Sequence, residues 1–315
     1  MDQFPDGRHV WLRSRVHGTY LHADEDGHGV SLSSRRRSMK AAWVVHRFYA
    51  DAQHVLLHSA AYGRYLAATG ASAPHGCRGF RVEQRNYDEI EGGAIRWQPI
   101  RFRTGDNIVL RHAAGHRYGY LRANGRYLPW NEDVVSVDDF DNVSTMMEWV
   151  VKPIPTSDRV PRLPRPNRVS SPCPLLDSSR ITFGILRGRS IERIGSCILL
   201  ICSGISPRGL QVLHLLLTGS FPALLQSRQV LLMVNGEDVA FVFGGRSVFR
   251  LRIEVARQLG FMGDIPNNLG LYVRAGTFGR YTPLVVDLPS SVQRLAITAE
   301  VPANFEHLYP DFDAV

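Results

Sequence analysis

Ten of the twelve histidines fall within residues 1–154, a density that invites a metal or acid–base reading. The tightest pairs, His54 with His58 and His112 with His116, are four residues apart in strand-like segments. On a strand that spacing sets side chains about 13 Å apart, too far to share one ion, whereas a helix would bring them together. The histidines therefore read as scattered surface groups. Several of them would gain charge between roughly pH 7 and 6 and make binding pH-sensitive. No metal and no cofactor is expected. The sequence has no phosphate loop, no nucleophile elbow and no His-Glu-x-x-His helix, so the expectation is a protein that is not an enzyme.

The cationic side chains are more informative. Arg35, Arg36 and Arg37, with Lys40 close behind, form a basic loop suited to steering an acidic protein surface. Arg274 and Arg280 flank a Gly276–Gly279 turn and are candidate contact points for a protein partner, or simply the ends of a hairpin. The formal net charge is +8. Residues 1–154 carry 20 basic and 17 acidic groups, residues 155–229 carry 10 and 3, and residues 230–315 carry 7 and 9. The excess thus lies between the two candidate domains instead of on a folded face, and nucleic-acid binding is not expected. Four cysteines (Cys77, Cys173, Cys197, Cys202) match neither a zinc pattern nor a disulfide framework. Free thiols, no apolar run long enough to cross a membrane and no secretory leader at the N-terminus together favour a cytoplasmic or nucleocytoplasmic location.

These residues must be carried by a scaffold, and residues 1–154 repeat themselves three times. The first copy contains Leu12, then Gly18-Thr-Tyr20-Leu21, then Trp43. The second contains Leu57, then Gly63-Arg-Tyr65-Leu66, then Trp97, and the third Leu110, Gly119-Tyr120-Leu121 and Trp149. Each copy opens on a short alternating strand and turns at a glycine that can need positive φ. It returns at Tyr-Leu and ends on a strand bearing the tryptophan. Three all-β units of about 50 residues are what a β-trefoil requires. Rings from equivalent strands would fill its shared core, with stacking on a ligand as the lesser alternative.

Residues 155–177 are rich in proline and arginine, with seven prolines between Pro153 and Pro174. That composition predicts a semi-extended linker with polyproline II character. Residues 178–228 hold one acidic residue, Glu192, and apolar bursts without a stable period. This stretch is expected to be an atypical, poorly ordered insertion. Order returns over 229–315. Leu231–Val234 and Val239–Val242 read as strands about an Asn235-Gly236 turn. Ser247 caps a helix with Val248, Leu251, Val255 and Leu259 on one face and Gly260 as its stop. Strands are expected at Leu269–Val273, Pro283–Asp287 and Leu295–Thr298. The order ββαβββ predicts a small α+β domain of the β-grasp, or ubiquitin-like, type.

Taken together, these motifs resemble a plant family known by its domain of unknown function 569. The resemblance rests on His17-Gly-Thr-Tyr-Leu-His-Ala-Asp-Glu-Asp-Gly27, Tyr62-Gly-Arg-Tyr-Leu66, Arg122-Ala-Asn-Gly-Arg-Tyr127 and Met146-Met-Glu-Trp149. In the C-terminal part it rests on Gly245-Arg-Ser-Val-Phe-Arg-Leu-Arg252 and the run from Arg274 to Pro289. It implies a fascin-like, actin-cross-linking type of β-trefoil followed by a smaller β-grasp-like domain. Its implied function is non-catalytic binding of a macromolecule, with actin filaments as the candidate partner. The alternatives are a carbohydrate-binding, lectin-like trefoil and a protein-interaction adaptor. Ricin-like lectin repeats carry Gln-x-Trp, and here the triplets before Trp43, Trp97 and Trp149 begin with Ala41, Ile95 and Met147.

Overall fold

The computed structural model describes residues 3–47, 51–89, 93–101, 106–112, 119–125, 133–138, 144–165, 227–234, 237–261, 269–291, 295–300 and 308–314. The Asn235-Gly236 turn, His116, Cys173, Cys197, Cys202 and residues 178–226 of the expected insertion lie outside them.

The first repeat supplies β1 (His9–Ser14), β2 (Tyr20–Ala23), β3 (Val30–Ser33) and β4 (Trp43–Arg47). The second supplies β5 (Val55–Ser59), β6 (Tyr65–Ser72), β7 (Phe80–Arg85) and β8 (Trp97–Arg101). The third supplies β9 (Asn107–His112), β10 (Gly119–Ala123), β11 (Val135–Asp138) and β12 (Trp149–Pro153). Six strands close a barrel: β1 pairs with β4 and β12, β4 with β5, β5 with β8, β8 with β9, and β9 with β12. The other six form three hairpins, stitched together through Ser136↔Arg81 between β11 and β7 and the bridges Gly29↔Glu83 and Ser31↔Val134. This is a β-trefoil.

The repeated tryptophan and the repeated Tyr-Leu serve one purpose. Trp43 Nε1 donates to the Leu21 carbonyl (3.0 Å), Trp97 Nε1 to Leu66 (2.9 Å) and Trp149 Nε1 to Leu121 (2.9 Å). All three rings are fully buried, and a buried indole N–H left unbonded would carry a desolvation cost. The leucine and the tryptophan of each repeat are therefore fixed as a pair. Leu12, Leu57 and Leu110 are fully buried beside them. Ligand stacking on these rings would need an exposure they lack.

The threefold pattern breaks at the turn. Gly18 and Gly63 both have φ of +70°, as the sequence predicts. Gly119 does not: it already lies in β10, and a Cβ there would meet Val137 Cγ1 at 2.3 Å. Its role is close packing, so the expected turn glycine of the third repeat is corrected. Tyr20 and Tyr65 are buried, whereas Tyr120 is half-buried.

The C-terminal domain is a five-stranded sheet in the order β15-β14-β18-β16-β17. Its elements are β14 (Ser227–Val234), β15 (Glu237–Gly244), α1 (Val248–Gln258), β16 (Gly270–Arg274), β17 (Tyr281–Pro283) and β18 (Leu295–Glu300). β14 and β18, the first and last strands, run parallel. Val248, Leu251, Val255 and Ala256 of α1 pack on Val230, Leu232, Leu271, Val273 and Ile297. This is the ubiquitin-like arrangement. Ser247 Oγ accepts from the Arg250 N–H (3.4 Å), and Gly260, at φ +80°, follows the helix end.

Three expectations are revised. β14 starts at Ser227, ahead of residue 229, because Arg228 is 2% exposed and donates to the Pro289 carbonyl (2.7 Å). The strand expected at Pro283–Asp287 is β17, ending at Pro283; beyond it Leu284 and Leu288 enter the ubiquitin-like core while Val285 enters the trefoil core. A segment that must face both domains cannot also hold a ladder. The linker's first residues are docked: β13 (Thr156–Ser157) pairs with β19 (Tyr309–Pro310), and Leu163 packs against both cores. Tyr309 and Phe312 thereby complete the trefoil, Phe312 stacking on Trp11 at 6.2 Å.

Candidate functional site

The loop between β3 and β4 carries Arg35, Arg36 and Arg37. Its middle residue is held from below: Trp11 Nε1 donates to the Arg36 carbonyl (2.9 Å), and the Arg36 guanidinium carbon lies 5.9 Å from the Trp11 ring centroid. Trp11 is itself wedged between Tyr20 and Phe312. Arg35 and Arg37 are exposed on either side of this anchor. Lys40 is turned away toward Glu25 (2.5 Å), whose other oxygen meets Arg246 of the ubiquitin-like domain (3.3 Å). The ammonium of Lys40, and then Arg246, hold the Glu25 carboxyl below its ordinary range. Beside the loop opens a groove of about 520 Å³ lined by Arg37, Lys40, Arg162, Arg246, Asp287 and Phe312. The structure thus adds Arg162 and Arg246 to the loop's cations, and the sequence alone gave no sign of either.

Arg274 and Arg280 serve a different place. Arg274 Nε donates to the Gly279 carbonyl (3.1 Å), and its guanidinium carbon sits 5.2 Å from the Tyr281 ring centroid. Arg280 donates through its guanidinium to Asp6 (2.9 Å) and through its backbone N–H to the Tyr65 hydroxyl (3.0 Å). Both residues build the hairpin and the seam with the trefoil. Thr282 and His58 meet there at 3.3 Å, and the Thr277 N–H donates to Asp88. Partial burial works to raise the Asp6 carboxyl, but the Arg280 and Arg47 donors outweigh it and hold it low. A second cleft, of about 630 Å³, opens at this seam between Arg8, His58, Arg274 and Arg280.

Tyr65, fully buried, connects the seam to a histidine. Its oxygen accepts from the Arg280 N–H and lies 3.0 Å from His46 Nδ1, to which the hydroxyl can donate. That requires a neutral imidazole. Burial, and then the Arg280 charge, bring the His46 pKa down to about 4, and burial pushes the Tyr65 hydroxyl up to about 12. Burial also lowers His112 and His28. His46 therefore does not gain charge in the range the sequence suggested, and the other two are shifted downward from it. Nor do His54 and His58 converge: His54 Nδ1 meets Asp51 (2.6 Å) and His58 meets Thr282, while His112 Nε2 meets the Ala94 carbonyl (3.1 Å). Among the described residues no three His, Cys, Asp or Glu side chains are grouped to hold a metal. Cys77 is half-buried, and burial raises its thiol.

Residues 1–152 match the family model described as a β-trefoil domain of unknown function (DUF569), and residues 233–299 match the DUF569-associated ubiquitin-like domain. The chain belongs to the DUF569 family. No curated protein matches its sequence. Among solved structures it is similar to the SDF2-like protein from Arabidopsis thaliana, at 14% identity and TM-score 0.39, over 47% of this chain and 93% of that one. It is also similar to a Macrolepiota procera ricin B-like lectin in complex with lactose, at 14% identity and TM-score 0.37, over 47% and 96%. No helix among the described residues of this DUF569 protein is long and apolar enough to cross a membrane.

Proposed function

We propose that this DUF569 protein is a non-catalytic binding protein whose trefoil engages an acidic protein surface, with the actin filament as the candidate partner. The observation that carries this reading is the Trp11 anchor under Arg36, with Arg35 and Arg37 exposed beside it. A cationic loop held in one conformation loses little entropy on binding, and its charge accelerates encounter with an acidic partner. Arg162 at the neighbouring groove extends the same field. The location that suits this role is cytoplasmic.

Filament co-sedimentation across a salt series tests it. The full chain is the right sample, because Tyr309 belongs to the trefoil core and Phe312 packs against it. Salt-sensitive pelleting that disappears in the Arg35→Ala, Arg36→Ala, Arg37→Ala triple variant is the expected result. Pelleting unchanged in that variant would move the site elsewhere, and no pelleting at low salt would remove actin as the partner.

A further inference from the structure

β15 is an edge strand. All eight of its residues pair with β14, and among the described residues no strand lies along its other side. Edge strands in soluble proteins are ordinarily blunted by charge, proline, a bulge or a cover. Residues 239–244 (Val-Ala-Phe-Val-Phe-Gly) contain no charge and no proline, and their register with β14 is unbroken. Phe243 is buried and Phe241 packs against the core, while Val242 on the opposite face is 62% exposed. Among the described residues, the strand therefore offers an open row of backbone donors and acceptors flanked by apolar side chains.

We infer that β15 is a self-association edge, on which the β15 of a second copy of this chain adds in antiparallel fashion and joins the two sheets. Three features favour a second copy. Antiparallel pairing of identical strands is closed by a twofold axis, so it ends at a dimer. With the axis at Val242, every residue from 239 to 244 faces an uncharged residue of the partner strand, so no like charges oppose each other. The strand also begins at Glu237-Asp238, so parallel pairing in register would stack acid on acid, whereas antiparallel pairing sets the two acidic starts at opposite ends. A pairing of this length buries less than the roughly 1,200 Å² of a tight complex, so the association is concentration-dependent. If the filament reading holds, a dimer presents two Arg35–Arg37 loops and acquires the means to cross-link, which a lone trefoil lacks.

Sedimentation velocity of the full chain over a wide dilution series decides it without filaments. The expected mass rises from one chain toward two with concentration. Val242→Lys, a change at a solvent-facing position, should stay at one chain throughout, with an unaltered circular dichroism spectrum. Phe278→Lys, which alters a 72%-exposed side chain beside the opposite edge strand, should behave as wild type. Hydrogen exchange of wild-type β15 amides should slow as concentration rises, which keeps the test sound should Val242→Lys fail to fold. A single chain at every concentration, equal association by Val242→Lys, or β15 exchange independent of concentration would each overturn the inference; the last would leave the edge to another protein's strand. Val242→Lys should still pellet with filaments but lose bundling at low speed, so loss of pelleting and loss of dimer are separate failures.

Discussion

Within the trefoil, buried apolar side chains surround three indoles, and the polar contacts of those indoles are the same bond made three times, from Trp43, Trp97 and Trp149 to Leu21, Leu66 and Leu121. At the seam with the ubiquitin-like domain the contacts change character. Arg280 meets Asp6, Arg246 meets Glu25, the Thr277 N–H meets Asp88, and the Arg280 N–H begins a chain through Tyr65 to His46. Apolar anchoring is confined to a few residues, chiefly Val285 and Tyr309 in the trefoil core and Phe312 packed against it. The three indole bonds contain no titrating group, while the seam carries charged pairs that respond to salt and pH. Domain interfaces are commonly more polar than cores, and relative motion is their default unless they are large and apolar. Here the returning C-terminal segment supplies the apolar part of the lock.

The largest effect should come from cutting into the core. Trp97→Ala removes a fully buried ring and leaves the Leu66 carbonyl without its donor, which should cost about 3–5 kcal/mol. Denaturant unfolding of the full chain would measure it. Because Tyr65, next to Leu66, is a seam residue, the ubiquitin-like domain should melt with the trefoil in one transition. Two separated transitions would mean that the seam couples the domains less than its bonds imply.

A smaller effect should come from titrating the seam. His46 is neutral when folded, with its pKa lowered from 6.5 to about 4. Below about pH 6.5 the unfolded chain takes up a proton that the folded chain refuses, so stability falls as pH drops toward 4 and levels off beneath it. At pH 5 the loss from this group is about 2 kcal/mol relative to neutral pH. His112 and His28 act in the same direction. Thermal unfolding at pH 5 and pH 7.5 should show the loss in wild type and a visibly smaller one in His46→Gln, whose amide can still accept from Tyr65. Equal losses in both proteins would detach His46 from the seam's acid sensitivity.

What the sequence made legible follows the same division. The trefoil was readable because one physical demand, an indole bonded to the carbonyl of a Tyr-Leu strand, recurs once in each of three repeats. The helix was readable because Ser247 and Gly260 bracket an apolar face. Gly119 misled because a glycine needed for close approach to Val137 looks the same in sequence as one needed for positive φ. The seam was hidden because its partners, such as Asp6 with Arg280, lie far apart in the chain and in different domains. Val285 and Phe312 sit in irregular segments and Tyr309 in a two-residue strand, where no period marks an apolar residue as buried. The Arg35–Arg37 loop could be found by charge alone, but its anchor could not. Trp11 belongs to a strand and carries no sign of the carbonyl it holds.

The finest probe of the seam compares two glycines in equivalent turns. Gly18 and Gly63 share a φ of +70°, and each N–H donates to the serine carbonyl four residues back, Ser14 at 2.9 Å and Ser59 at 2.8 Å. Alanine at either site incurs the same left-handed strain, about 1–2 kcal/mol. The surroundings differ. A Cβ at Gly18 would meet the end of the Arg13 side chain at 2.8 Å, and that flexible group can swing aside. A Cβ at Gly63 would meet Thr282 Oγ1 at 3.0 Å and Cβ at 3.2 Å, on a strand of the ubiquitin-like domain and next to the His58 contact. Moving Thr282 means shifting β17 against the trefoil. Gly63→Ala should therefore destabilise more than Gly18→Ala in matched denaturant titrations, and the excess should shrink at pH 5, where the seam is already weakened. An excess that persists unchanged at pH 5 would show that β17 is held against the trefoil by packing and owes little to the titrating contacts.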